Sequence, residues 1–234
     1  MEIIILAGGL GTRLKSAVPE LPKCLAPVND KAFLSYLIKY LINNGATKII
    51  LSLGYKNDYF IKFLENEKFN INIELVIEEE ALGTGGAVLN SMNLINNENF
   101  VVVNGDTFYN IDLLKLFKFH IDKESMCTIG LKPMKNIERY GTVEFTHNME
   151  IIKFNEKIFY KEGYINGGTL ILNKNIFNIN PNSKTFSIED VYIKFAIQNR
   201  KAFGLISDEY FIDIGIPDDY KRAQEELKKL NKIY

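Results

Sequence analysis

Five residues near the start of the chain could act together on an anion. Gly8, Gly9 and Gly11 follow the apolar run Ile3-Ile-Ile-Leu6, and Arg13 and Lys23 come soon after, with Ala7 and Thr12 among them. The apolar run reads as a buried strand. Glycines straight after a strand let backbone N–H groups approach a ligand closely. Two cations brought to the same place suit phosphates better than any other group. Neither common phosphate motif fits. A dinucleotide fingerprint starting at Gly9 requires glycine where Leu14 stands, and a Walker A loop accepts Lys15 and Ser16 but fails at the same residue. An ordinary glycine turn would leave Thr12, Arg13 and Lys23 unexplained.

Two carboxylates are also placed where chemistry is done. Val101-Val-Val-Asn-Gly-Asp106 is a buried strand ending in an aspartate, and the carboxyl ends of strands face the ligand crevice of open α/β sheets. Taken alone, Asp106 could equally sit in a turn or cap the helix that begins near Asp112. Asp213 stands among apolar residues in Tyr210-Phe-Ile-Asp-Ile-Gly-Ile216, an odd setting for a surface charge. The two histidines, His120 and His147, read as solvated or capping groups, which leaves no evident zinc site or Ser-His-Asp triad. Cys24 and Cys127 read as free thiols.

The elements that must position these residues follow from periodicity. At 234 residues, 47% apolar and 24% charged, the chain fits one α/β domain, 1–234. Strands are predicted at 2–7, 49–53, 71–77 and 100–103, and helices at 32–43, 57–66 and 84–96, with 8–30 as loop. This alternation implies a parallel, doubly wound sheet over about 1–110. From about 111 onward a helix at 111–121 leads to strands near 126–132, 141–145, 150–154 and 168–172, expected as antiparallel additions to the sheet. Helices near 187–198 and 217–231 flank a strand near 202–206. Ser187 with Asp190 resembles a capping box. Net charge is −1 with no basic block, so no nucleic-acid or anionic-membrane footprint is present. The apolar start is too short for a span and has no basic flank, which predicts neither signal peptide nor anchor and a cytoplasmic protein.

The pattern Leu6-Ala-Gly-Gly-x-Gly-Thr-Arg-Leu14 with Pro22-Lys23 resembles the sugar-1-phosphate nucleotidyltransferases. The resemblance recurs, in the same order, at Leu82-Gly-Thr84, Asn104-Gly-Asp106, Arg139-Tyr-Gly141, Asn155-Glu-Lys157, Ile165-Asn-Gly-Gly168 and Asp213-Ile-Gly215, nearly the whole chain. Ile158 departs from the family's usual proline. The resemblance implies a Rossmann-like three-layer α/β/α fold of the GT-A kind with a mixed, mostly parallel central sheet. The first half would bind nucleotide and the second, from about 111, the sugar phosphate. By carry-over, Leu6, Ala7, Gly8, Gly9, Gly11, Thr12, Arg13, Lys23, Glu78, Gly83 and Thr84 bind nucleotide. Asn104, Gly141, Glu156, Lys157, Asn166 and Gly167 bind the sugar phosphate. Arg13, Lys23, Asp106 and Asp213 carry catalysis, the two aspartates holding Mg2+.

Among subfamilies the resemblance is greatest to the D-glycero-D-manno-heptose 1-phosphate guanylyltransferases, carried by Ile77–Ala87, Asn104–Phe108, Arg139–Val143 and Phe211–Gly215 and by the short chain. It implies transfer of GMP from GTP to a sugar 1-phosphate with release of pyrophosphate. Mannose or glucose 1-phosphate, with GTP, UTP or dTTP, is the alternative. A non-catalytic nucleotide-sugar-binding homologue is a third reading, against which Arg13, Lys23, Asp106 and Asp213 are all present. Homo-oligomerisation is left open. Glu78 adds a physical preference: a carboxylate only accepts hydrogen bonds, and guanine offers two adjacent donors where uracil and thymine offer one between carbonyls.

Overall fold

The computed structural model describes residues 1–9, 14, 18–54, 56–155 and 157–230, the last two as backbone only. In chain order it contains β1 (Glu2–Leu6), a small hairpin of β2 (Pro27–Val28) and β3 (Lys31–Ala32), α1 (Phe33–Asn43), β4 (Lys48–Leu53), α2 (Asn57–Asn66), β5 (Asn72–Ile77) and α3 (Gly83–Ser91). Then come β6 (Asn99–Asn104), β7 (Thr107–Tyr109), α4 (Leu113–Asp122), β8 (Cys127–Ile137), β9 (Val143–Phe145), β10 (Ile151–Phe154) and β11 (Tyr160–Asn173). The chain closes with α5 (Lys194–Gln198), β12 (Ala202–Ile206), β13 (Phe211–Asp213) and α6 (Pro217–Leu230).

Seven strands form the central sheet in the order β12-β8-β11-β6-β1-β4-β5. Strand side chains alternate between faces, and here both faces are covered. Ile3 and Ile5 of β1 share a core with Leu34, Leu37 and Leu41 of α1 and with Ala223 and Leu227 of α6. Ile4 between them packs on the other face with Val88 of α3 and Ala196 of α5. Burial on both sides is why β1, β4 and β6 read as unbroken apolar runs and not as alternating ones. Burying each such side chain contributes about 1.5–3 kcal/mol. The three-layer α/β/α architecture implied by the resemblance is present. α1 ends where Gly45 adopts φ +86°, its N–H donating to Ile42 O at 3.0 Å.

The second half departs from expectation in four ways. Of its strands only β11 is antiparallel within the main sheet: it pairs antiparallel with both β6 and β8, while β12 runs parallel to β8. β9 and β10 do not join that sheet but pair with each other. β7 and β13, which periodicity did not reveal, form an antiparallel ribbon of three residues each, with Asp213 opposite Thr107. The helix expected at 187–198 opens as a π-helical turn, Glu189–Ile193, before α5. Half of its capping box is present: Asp190 N–H donates to Ser187 Oγ at 3.1 Å, while the Ser187 hydroxyl donates to the Asp190 carboxylate at 2.5 Å.

His120 is neither solvated nor capping. It is buried on α4, its ring nitrogens 2.9 Å from Thr128 Oγ1 and 3.0 Å from Asn99 Oδ1. Burial lowers its pKa to about 4, so the ring is neutral at physiological pH. His147 is exposed in a turn. Cys24 and Cys127 are free and buried, and burial pushes the Cys24 thiol up to about 12, far from thiolate reactivity.

Candidate active site

The β7–β13 ribbon brings the two aspartates together. β1 and β6 are neighbours in register, Leu6 beside Asn104, so their carboxyl ends leave the sheet side by side. Leu6, Ala7, Gly8 and Gly9 continue one end, and Gly105 and Asp106 the other. The ribbon lays β13 against β7, and Ile214 N–H donates to Asp106 O at 3.0 Å, which carries Asp213 beside Asp106. The α4 cap is Asp112, whose side chain accepts from Lys115 N–H at 2.9 Å, so Asp106 is not needed for that purpose.

Lys23 lies between the carboxylates. It opens a short 3-10 turn, Lys23–Leu25, pinned by the buried Cys24 and Leu25. Its ammonium donates to Asp106 Oδ2 at 2.5 Å and to Asp213 Oδ1 at 3.3 Å, residues 83 and 190 positions away. The lysine side chain is 11% exposed, that of Asp106 37% and that of Asp213 18%. Every remaining carboxylate oxygen has a partner. Thr107 Oγ1 donates to Asp106 Oδ1 at 3.2 Å, and Tyr140 OH to Asp213 Oδ2 at 3.1 Å. Gly215 N–H adds a 2.7 Å bond to Asp213 Oδ1. Burial, with the Asp213 charge next, holds the Tyr140 hydroxyl well above its ordinary pKa, so it stays a donor. Arg139 stacks over the Tyr140 ring at 5.3 Å and ion-pairs with Asp219 in the first turn of α6.

From this charged end a cleft of about 970 Å³ opens. Of the residues expected on the sugar side, Asn104, Gly141, Lys157, Asn166 and Gly167 all line it, with Asp106 and Asp213. β11 crosses the cleft floor, and its register with β8 breaks between Asn166 and Leu170. Gly168 makes the break possible. Its φ is +72°, and a Cβ there would lie 2.8 Å from Asn104 Nδ2. Gly168 N–H donates to Asn166 Oδ1 at 2.9 Å, which fixes that side chain at the bulge.

The facing wall belongs to the other layer of the sandwich. Thr84, in the first turn of α3, lines the cleft with Ser187, Glu189 and Asp190. The start of α3 is laced to the strand-like segment before the π turn: Phe186 N–H donates to Leu82 O at 3.0 Å, Gly85 N–H to Phe186 O at 3.0 Å, and Ile188 N–H to Thr84 Oγ1 at 2.9 Å. Gly83, at φ +70°, has no room for a Cβ, which would lie 2.5 Å from Phe186 O. Glu78 directly follows β5 and is half-buried, unlike its exposed neighbours Glu79 and Glu80. Its Oε1 accepts from Ser52 Oγ at 3.1 Å and its Oε2 from Leu82 N–H at 3.2 Å. Gly11, Thr12, Arg13 and Glu156 lie outside the described residues.

Residues 2–229 match the family described as nucleotidyl transferase. The chain belongs to that family. Among similar proteins, this nucleotidyl transferase is 48% identical over 228 residues to the D-glycero-alpha-D-manno-heptose 1-phosphate guanylyltransferase of Aneurinibacillus thermoaerophilus, covering 97% of this chain and 99% of that one. It is 43% identical over 220 residues to the protein of the same name from Campylobacter jejuni, covering 94% and 97%. Among solved structures it resembles HddC of Yersinia pseudotuberculosis complexed with GMP-PN, at 37% identity and a TM-score of 0.85 over 97% and 99% of the two chains.

The nucleotidyl transferase site suits a divalent cation. Its donors are hard carboxylate oxygens, and Asp106 and Asp213 already share one positive charge, the Lys23 ammonium. No group of three or more His, Cys, Asp and Glu side chains gathers around one point among the described residues, so a metal here needs ligands beyond the protein. Phosphate oxygens are such ligands. Sequence reasoning missed Glu189 and the hydroxyl of Tyr140. An acidic residue in a first helical turn is ordinary, and a Tyr beside Arg139 shows no periodic signal. Only the fold reveals that both face the cleft region.

Proposed function

We propose that the chain transfers GMP from GTP to D-glycero-α-D-manno-heptose 1-phosphate, releasing pyrophosphate. The observation that carries the reaction type is Lys23 held between Asp106 and Asp213 at the head of a cleft whose floor presents Asn104 and Asn166. The choice of base and sugar rests on the two guanylyltransferase relatives. Glu78 agrees with that choice. Each of its oxygens accepts one protein hydrogen bond and keeps a lone pair, which suits the paired donors of guanine.

The nucleophile is a sugar-phosphate oxygen that is already ionised at neutral pH. No general base is needed, and catalysis reduces to in-line placement and charge neutralisation. The backbone of Leu6–Gly9, with Gly11 and Thr12, wraps the triphosphate. Arg13 neutralises the leaving pyrophosphate, and Lys23 the α-phosphate as charge builds there. Lys157 holds the attacking phosphate. Asn104, the Gly141 and Gly167 backbone, Glu156 and Asn166 orient the sugar. Asp106 and Asp213 would hold Mg2+, which supplies positive charge to the reacting phosphates. The substrates place the work in the cytoplasm, with the activated heptose serving surface glycan synthesis.

Pyrophosphate release tests this reading, measured with GTP, UTP or dTTP against heptose, mannose and glucose 1-phosphates. GTP with the heptose phosphate should give the highest kcat/KM. A preference for UTP or dTTP, or for glucose 1-phosphate, would contradict it.

A further inference from the structure

The cleft has a second acidic wall that neither phosphate chemistry nor the metal requires. Glu189 is the first residue of the π-helical turn, a rare geometry that concentrates at functional sites. It comes from the layer opposite Lys23 and Asp213: Ile188, Tyr192 and Ile193 around it pack in the α3/α5 core, whereas Ile212 and Ile214 around Asp213 pack in the α1/α6 core. Thr84 fixes it. The Thr84 hydroxyl accepts from Ile188 N–H at 2.9 Å, which ties the residue before Glu189 to the first turn of α3. Glu189 is half-buried; burial raises its pKa, offset chiefly by a hydrogen bond from its own backbone N–H and then by the Lys157 charge. A carboxylate has about four acceptor positions, and Glu189 lines the cleft with acceptor capacity to spare.

Phosphate cannot be what it accepts from, because phosphate is itself an acceptor and an anion. A sugar 1-phosphate has a charged end and an end rich in hydroxyl donors. With the phosphate drawn towards Lys23 and Lys157, hydroxyls are left for the far wall. Resting on the sugar-phosphate reading of the cleft, we propose that Glu189, braced by Thr84, is a specificity residue that accepts hydrogen bonds from ring hydroxyls of the sugar 1-phosphate. The brace has a further consequence. Thr84 belongs to the same turn as Leu82, whose N–H holds Glu78, so the sugar wall and the proposed base contact are built on one short segment.

The test is steady-state pyrophosphate release by Glu189→Gln and Glu189→Ala at saturating GTP. The substrates are D-glycero-α-D-manno-heptose 1-phosphate, mannose 1-phosphate and monodeoxy analogues that each lack one ring hydroxyl. In Glu189→Ala the KM for the sugar phosphate should rise about 10- to 100-fold, the range of a hydrogen bond to a charged group, with the KM for GTP unchanged. At least one deoxy analogue rejected by the wild type should no longer be distinguished from its parent. Glu189→Gln keeps the side-chain shape and an acceptor oxygen, so it should melt like the wild type and show a smaller rise. If Glu189→Ala does not fold, the Gln variant and its analogue profile decide. An active wild type with unchanged sugar KM and analogue profile in the folded variants overturns this inference alone. A wild type that turns over no sugar 1-phosphate overturns the functional reading and this inference with it.

Discussion

The two ends of the cleft are built by different means. At the charged end, Lys23, Asp106 and Asp213 come from three distant segments and hold one another by direct bonds, drawn together by the β7–β13 ribbon. At the proposed sugar end the polar groups sit on backbone irregularities: the bulge in β11 at Gly168 and the π turn at Glu189. Regular strand ends can bring charges to one point. They cannot easily turn a ring of hydrogen-bonding groups around the uncharged part of a ligand, for which a bulge and a π turn are suited. The two ends should therefore fail differently. Loss at the charged end removes interactions that strengthen in the transition state and lowers kcat. Loss at the sugar end removes binding and raises KM.

The largest effect should come from the charged end. Asp106→Asn and Lys23→Met should each lower turnover by at least ~10²-fold, a few kcal/mol of lost charge stabilisation, and Lys23→Met, which leaves two carboxylates without their cation, should also melt lower. A Lys23→Met effect confined to the KM for GTP would show that the lysine binds only the ground state, which breaks the division between the ends. Next in size is Gly168→Ala. The left-handed backbone costs a non-glycine residue roughly 1–2 kcal/mol, and the added Cβ would press on Asn104 Nδ2. The KM for the sugar phosphate should rise about 10-fold with kcat nearly kept, and a pure kcat loss would contradict the assignment. The last effect is on stability and involves neither end. Burial lowers the folded pKa of His120 to about 4, below the ordinary 6.5 of the unfolded chain, so protons favour unfolding between those values. Its contribution is fully present above about pH 6.5 and is lost as pH falls through about 4. Urea unfolding across that range should show the decline in the wild type and less of it in His120→Gln, at most ~1.4 kcal/mol per pH unit. Equal slopes would sink this reading.

The charged end was legible in the sequence by residue type but not by geometry. Asp106 announced itself at the end of an apolar strand and Asp213 by its apolar neighbours, yet nothing in their spacing pairs them. The element that does so has three residues per strand, too few for a period to be read, and joins parts of the chain far apart. The elements of the first half were legible because helices and parallel strands alternate there with full periods; α2 falls at 57–66 as expected. The second half misled because connections short of helix suggest antiparallel neighbours. The structure uses one antiparallel strand, β11, long enough to pair on both sides, and sets β9 and β10 apart. The sugar wall was the least legible part. Bulges and π turns depend on what packs against them, and Glu189 looks like any acidic residue in a first turn.

Asp213→Asn, assayed for turnover as Mg2+ is titrated, tests most directly whether the ribbon unites two distant carboxylates into one catalytic charge pair. The account predicts a folded protein whose turnover with GTP and the sugar 1-phosphate stays at least ~10²-fold below wild type even at saturating Mg2+. It also predicts a weakened apparent affinity for the metal. Near-wild-type turnover at saturating Mg2+ would contradict it.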